Sequence, residues 1–291
     1  MKKNSLYFLI ILQQFISAGA SIVAKSVNSS LEPTVIMLYR SMLSALFFGL
    51  WIAIRWKKLP KIDKSDYWML IVLGIMNIPL NQLLFIWGLE YTVAPNASLA
   101  YSLTPAFVVI LSFLFLKVRY SKQALLGIII AFLGVFLILF EKGLAIDSSK
   151  FLGDIMVLSA SFTWGIVSMM MAKFIQKYGA FYVTAISMVI GFITYLPIYA
   201  LIGAPLEPQL LSLQTIGELL YLGLVTSVVS YALYSFALSR IETSKVAVFN
   251  NLQPMLTTIL AILIFKELPS IQFVIGGVIA IIGVIITQNS K

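Results

Sequence analysis

Cysteine and histidine are both absent from this chain of 291 residues. Disulfides, thiolate nucleophiles, imidazole bases and the commonest zinc ligands go with them, so most catalytic constellations and metal centres are excluded. Charge is scarce as well: 11% of residues are Asp, Glu, Lys or Arg, against about 25% in an ordinary soluble domain. No Gly-Lys-Ser/Thr phosphate loop occurs, which excludes ATP hydrolysis by the chain itself. The composition thus points away from an enzyme and toward a protein without cofactors.

What is present is apolar surface, 60% of the residues. A hydrocarbon core of about 30 Å needs about 20 apolar residues per helix. Ten such runs fall near 5–24, 34–54, 67–89, 95–116, 122–140, 152–173, 181–202, 214–236, 245–265 and 271–288. The expected fold is an all-α integral membrane protein with ten transmembrane helices and no sizeable soluble domain. The first run follows Met1-Lys2-Lys3 and carries Ala18-Gly19-Ala20, as cleaved leaders do. It reads as a span, because its loss would leave Phe151 to Ala172 without a counterpart.

The basic residues orient these spans, since cytoplasmic loops are enriched in Lys and Arg. With the N-terminus inside, Lys2, Lys3, Arg55, Lys57, Lys58, Lys61, Lys64, Lys117, Arg119, Lys122, Lys173, Lys177, Arg240, Lys245 and Lys291 are cytoplasmic. Only Lys25, Lys142, Lys150 and Lys266 fall on the other side, with Arg40 inside the second span. The acids lean outward: Glu32, Glu90, Glu141, Asp147, Asp154, Glu207, Glu218 and Glu267, against Asp63, Asp66 and Glu242 inside. Both termini are therefore expected in the cytoplasm. The net charge of +9 is a topology signal; its charges sit in short loops rather than on a basic surface that would hold nucleic acid.

The stretch Leu103 to Val135 recurs without a gap as Leu252 to Val284, with 13 of 33 positions identical. The same offset of 149 carries Leu70, Gly74, Leu84 and Leu89 onto Leu219, Gly223, Leu233 and Leu238. The chain divides into two related halves, 1–143 and 151–291. Each holds five spans, an odd number, so the second half enters the membrane from the opposite side. Inverted repeats of this kind place a solute site near the bilayer midplane between halves that rock against each other.

Pro254, Lys266-Glu267, Gln272, Gly276 and Gly283 close the second half, Trp164-Gly165 lies in the sixth span, and Arg40 lies in the second. In these elements and in its ten-span length the chain resembles the drug/metabolite transporter superfamily and its EamA-type permeases. The first-half copy reads Pro105, Lys117-Val118, Gln123, Gly127 and Gly134, so the usual acid after the lysine is missing there. The resemblance implies a multi-pass permease of the cytoplasmic membrane, often an exporter, for amino acids or other small metabolites.

Candidate residues for holding a solute follow from comparing the halves. Gly74, Asn77, Asn81, Phe85 and Gly88 share one face of the third span, with Pro79 beside it. Their partners at the offset are Gly223, Thr226, Ser230, Tyr234 and Ala237, and Gln82 meets Tyr231. Amides in hydrocarbon need partners or water, so these stripes face inward, either as a site or as hydrogen-bonding glue between helices. In the fourth and ninth spans Ser98, Tyr101, Pro105, Val108 and Ser112 meet Ala247, Asn250, Pro254, Thr257 and Ala261. Pro105 and Pro254 each remove a backbone donor one turn after Tyr101 and Asn250, which makes them paired kinks and candidate hinges.

Positions where the halves differ in chemistry suit an asymmetric solute: Tyr101/Asn250, Asn81/Ser230, Gln82/Tyr231 and Phe85/Tyr234. Trp164, opposite Ala18, is either a cavity wall or a packing residue. Arg40 is either a clamp for a substrate carboxylate or phosphate, a partner of Glu90 or Glu218, or a side chain snorkelling to the surface. The small residues Gly127, Ala131, Gly134, Gly276, Ala280 and Gly283 permit close helix contact, joining either the two halves or two copies of the chain as a homodimer. No acid sits at the centre of a span, so proton coupling would fall to Glu90, Asp154 or Glu218, and uniport or exchange fits as well. The competing readings are a membrane enzyme acting on lipid head groups and a non-transporting membrane partner.

Overall fold

A backbone in hydrocarbon must satisfy its polar groups within its own segment, which leaves these apolar runs the helix as their one local solution. The computed structural model describes residues 3–116, 121–139, 149–241, 243–266 and 268–289, and they form ten helical rods. Lys2, Lys117, Val118, Arg119, Glu141, Lys142, Asp147, Glu242, Glu267 and Lys291 lie outside the described residues.

Helices α1 (Lys3–Val27) and α2 (Pro33–Arg55) are continuous, and Pro33 opens α2, where its missing N–H costs nothing. Helix α3 covers 67–91 and contains a π-helical segment, Met76–Gln82. Helix α4 is broken at Leu103 between Ala94–Ser102 and Thr104–Leu116. Three continuous helices follow, α5 (Lys122–Leu139), α6 (Ser149–Tyr178) and α7 (Ala180–Ile202). Gly179, at φ 88°, makes the tight turn between the last two, a conformation open to glycine at little cost. Helix α8 covers 213–238 with a π-helical segment at Tyr221–Ser230, and Ser212 caps its start by accepting from Thr215 N. Helix α9 covers 243–265 with a 3-10 turn at Phe249–Asn251. The last rod is α10 (Ile271–Asn289).

Seven rods, α1–α4 and α6–α8, are long and apolar enough to cross a membrane, at 22 to 30 residues each. The apolar parts of α5, α9 and α10 are shorter, Lys122–Leu137, Phe249–Phe265 and Ile271–Thr287. At about 1.5 Å rise per residue, 17 residues give roughly 25 Å, just under the hydrocarbon thickness.

The packing repeats itself across the chain. Contacts of α1 with α8 and α9 recur as contacts of α6 with α3 and α4, and α2 against α8 recurs as α7 against α3. Three contacts map onto themselves under this shift of five helices, α2 with α7, α4 with α9 and α5 with α10. The α5/α10 seam is built from the small residues: a Cβ on Gly127 would stand 2.6 Å from Gly283 O, and one on Gly134 2.5 Å from Gly276 O. Low numbers of one helix meet high numbers of the other, so the pair is antiparallel. The small-residue stripes thus meet inside a single chain.

Candidate functional site

The broken and π-helical segments converge on one buried cavity of about 60 Å³. Its walls come from both halves of the sequence: Gln13, Ser17 and Ala20 of α1, Arg40 of α2, Asn81, Gln82 and Phe85 of α3, and Tyr101 of α4. The other half supplies Trp164 of α6, Thr226, Ser230, Tyr231 and Tyr234 of α8, and Asn250 and Gln253 of α9. Of the eleven residues singled out from the sequence as solute-binding candidates, only Asn77 is elsewhere. Its Nδ2 donates to Ser187 Oγ of α7 at 2.9 Å, and Gln82 Nε2 donates to its Oδ1 at 3.3 Å.

The displacement of Asn77 has a backbone cause. The π-helical bonding of 76–82 adds a residue to the turn, so the expected single face of α3 splits. Gly74 and Asn77 turn to α7, Asn81, Gln82 and Phe85 to the cavity, and Gly88 to α6. Pro79 sits inside this segment, but Val228 takes its place in the π-helical segment of α8. Proline is therefore not what both segments share. The other two prolines lie just after real breaks: Leu103 interrupts α4 two residues before Pro105, and the 3-10 turn of α9 ends three residues before Pro254. Tyr101 lies just ahead of the break in α4, and Asn250 lies within the 3-10 turn of α9.

Arg40 is the only charged residue in the cavity wall and is 4% exposed. Its Nε donates to Ser227 Oγ at 2.9 Å, its one hydrogen bond among the described residues. No described carboxylate lies within 4 Å of it. Glu218 instead accepts from Ser26 Oγ at 2.7 Å and Gln214 Nε2 at 3.0 Å, and Glu90 is exposed. Neither the ion pair nor the snorkelled arrangement is therefore the one present. A guanidinium offers five N–H donors, and burying it in a membrane costs roughly 2.5–3.5 kcal/mol on insertion scales. One hydrogen bond to a charged group, about 1.5–3 kcal/mol, offsets much of that cost while leaving most of the fork unmatched.

Around this cation stand five aromatic rings. Phe85 meets Tyr101 edge-on at 5.3 Å, and Trp164 touches Tyr231 at 5.2 Å and Tyr234 at 4.9 Å. Asn81 Nδ2 holds Tyr101 OH at 2.8 Å and Ala160 O at 2.6 Å, and Tyr234 OH is 2.8 Å from Ser168 Oγ. Three lining residues each keep a buried polar atom without a partner: Gln82 Oε1, Thr226 Oγ1 and Asn250 Nδ2. The wall therefore presents a cation, one amide donor, one hydroxyl and one amide acceptor between aromatic faces.

Sequence reasoning missed the contribution of α1. Gln13 Nε2 bonds Ser17 Oγ at 2.8 Å and Ser230 Oγ at 3.1 Å, and Gln14 Nε2 bonds Asn250 Oδ1 at 2.9 Å. Two adjacent amides inside an apolar run were a visible signal, but the first and sixth helices share too little sequence for a comparison of halves to mark them. Gln253 escaped for a similar reason, since its counterpart Thr104 is unremarkable.

The helices around the cavity are tied to one another near both of their ends. At one end Lys25 Nζ donates to Leu89 O and Thr92 O at 2.8 Å each, joining α1 to the C-terminus of α3, where a cation is favoured. Beside it Thr92 Oγ1 donates to Asp154 of α6. At the other end Lys177 of α6 pairs with Asp63 and Asp66 at 2.6 Å each, and Tyr178 OH donates to Asp66.

Comparison with known proteins adds the wider setting. The sequence profile described as the EamA-like transporter family matches residues 4–140 and 151–288. An uncharacterized transporter of Archaeoglobus fulgidus is 30% identical over 287 residues, covering 98% of each chain. The uncharacterized transporter YyaM of Bacillus subtilis is 29% identical over 74% of this chain and 71% of its own. One solved crystal structure superposes with a TM-score of 0.67 at 15% identity, over 97% of this chain and 94% of the other, a likeness of fold.

Proposed function

The chain belongs to the EamA-like transporter family, and on that premise we propose that it is a secondary permease exporting amino acids or other small metabolites across the cytoplasmic membrane by alternating access. That it is a multi-pass membrane transporter follows from the family and the apolar helices. The rest is our reading. Ten spans form two inverted five-helix halves, 1–143 and 151–291, with both termini cytoplasmic. Packing that recurs on a shift of five helices, the antiparallel α5/α10 pair and the bias of Lys and Arg all support it.

One observation carries the substrate reading: Arg40 is buried in a cavity wall that contains no carboxylate. The missing counter-charge is the substrate's, a carboxylate or a phosphate held by the guanidinium fork. Asn81, Gln82, Ser230, Tyr231, Asn250 and the aromatic walls hold the remainder of the solute, with Asn77 supporting Gln82 from behind. Pockets for drug-sized ligands measure about 300–1,000 Å³, so 60 Å³ is a contracted form. Opening falls to the breaks ahead of Pro105 and Pro254, the hinges of this scheme.

The test is flux into liposomes carrying the purified chain, with labelled amino acids, other carboxylates and phosphorylated metabolites. Uptake above empty vesicles that falls in Arg40→Ala supports the reading. No flux for any solute class overturns it and returns weight to an enzyme acting on lipid head groups or to a non-transporting partner. Comparing right-side-out with inverted membrane vesicles tests export.

A further inference from the structure

A second concavity lies away from the central cavity, on the outer wall where α2, α3 and α7 meet. It measures about 390 Å³ and is lined by Ile52 of α2, Trp56 just after it, Leu70 and Ile71 of α3, and Ile186 and Ile190 of α7. The close approach of Gly74 to Ile190 and Gly191 adjoins it where α3 crosses α7. Trp56 is 70% and Trp68 71% exposed, as rings at the level of lipid head groups are. The groove is thus apolar, faces the bilayer, and ends where the bilayer meets water.

Its watery end carries a dense positive charge. Arg55 at the end of α2 and Lys57, Lys58, Lys61 and Lys64 in the segment that joins α2 to α3 are all exposed. The acids of this connection, Asp63 and Asp66, are taken by Lys177. Among the described residues no carboxylate lies within 4 Å of those five cations. An apolar slot therefore opens beside a basic cluster whose own acids are already engaged. Zwitterionic lipids would fill the slot equally well, but only a negative head group answers the cluster, and bilayer lipid is what this face meets.

We propose that the α2/α3/α7 groove binds one anionic phospholipid, with an acyl chain against Ile71 and Ile186 and its phosphate among Lys57, Lys58 and Lys61. A basic residue near a membrane surface contributes about 1 kcal/mol toward anionic lipid, about fivefold in affinity. Three of them amount to about a hundredfold.

The experiment is native mass spectrometry of the full chain released from micelles containing equal phosphatidylglycerol and phosphatidylcholine. The expected result is one retained phosphatidylglycerol, weakened about a hundredfold in Lys57→Gln/Lys58→Gln/Lys61→Gln and unchanged in Lys122→Gln/Arg240→Gln. Ile71→Trp, which fills the groove from its exposed rim, should lose bound lipid of either head group while keeping every charge. Should the triple variant not fold, salt decides on the unaltered chain. Raising it to about 1 M shortens the screening length to about 3 Å and should abolish the preference for phosphatidylglycerol. Equal retention of both lipids, an equal loss in the control variant, lipid retained by Ile71→Trp, or no effect of salt would each overturn the proposal. So would binding of a polyglutamate peptide as tight as that of phosphatidylglycerol, since it would show charge without a lipid slot.

Discussion

Arg40 Nε and Ser227 Oγ are 2.9 Å apart, a hydrogen bond that reaches from α2 to the π-helical segment of α8 and leaves the rest of the guanidinium facing the cavity. A role in holding an anion predicts that function and folding separate on substitution. Arg40→Ala should weaken solute affinity about 10- to 150-fold, the equivalent of one charge-assisted bond. The thermal midpoint in detergent should stay level or rise, because the burial cost of the cation disappears. Arg40→Lys should retain part of the affinity, having the charge without the fork. A collapse of the thermal midpoint in either variant would assign Arg40 to the fold instead.

Pro254→Ala restores a backbone donor at the position one turn beyond Asn250, where the 3-10 turn ends. A straightened α9 should slow turnover several-fold with little change in half-saturating solute concentration. Pro105→Ala should do the same to α4. Counterflow measured at saturating and at low solute separates the two parameters, and a pure affinity loss would remove the prolines from the moving parts.

Gly283→Ala places a methyl group against Ala131 N and Gly127 O, both backbone atoms that cannot swing aside. Overpacking of that kind costs about 1–3 kcal/mol, so the variant should unfold at lower temperature or denaturant. Gly49→Ala is the contrast, since nothing lies within 4 Å of the added atom and a helical Gly-to-Ala change favours the helix by about 1 kcal/mol. Equal destabilisation by both would contradict the α5/α10 seam.

The absence of cysteine makes orientation directly measurable. Single cysteines at Lys57, in the connection after α2, and at Gln209, in the connection before α8, are both in exposed positions. A membrane-impermeant maleimide applied to intact cells should label Gln209→Cys and spare Lys57→Cys until the membrane is opened. The reverse pattern would turn the molecule over.

The rods themselves were legible in the sequence, because a run of apolar residues long enough for a bilayer has few alternatives to a helix. The site was legible in part. Comparing halves position by position brought together Asn81, Gln82, Phe85, Tyr101, Ser230, Tyr231, Tyr234 and Asn250, since one offset served α3, α4, α8 and α9. It could not reach Gln13 and Ser17, where α1 and α6 have diverged. Nor could it foresee the turn of Asn77 away from Asn81: an i to i+5 backbone bond is not written in any side chain, and ordinary helical spacing put both on one face. The short apolar lengths of α5 and α10 were already visible, since the runs 122–140 and 271–288 hold fewer residues than the about 20 that a span needs.

The fixed charge of Arg40 has an electrical consequence. Inside a membrane one elementary charge is worth up to about 2.3 kcal/mol per 100 mV, so a cavity holding only a guanidinium feels the resting potential. The same cavity holding a monoanion is neutral and does not. In the alternating-access cycle proposed above, voltage would therefore weigh on the empty protein and spare the loaded one, so that the potential would bias the return stroke rather than the carrying stroke.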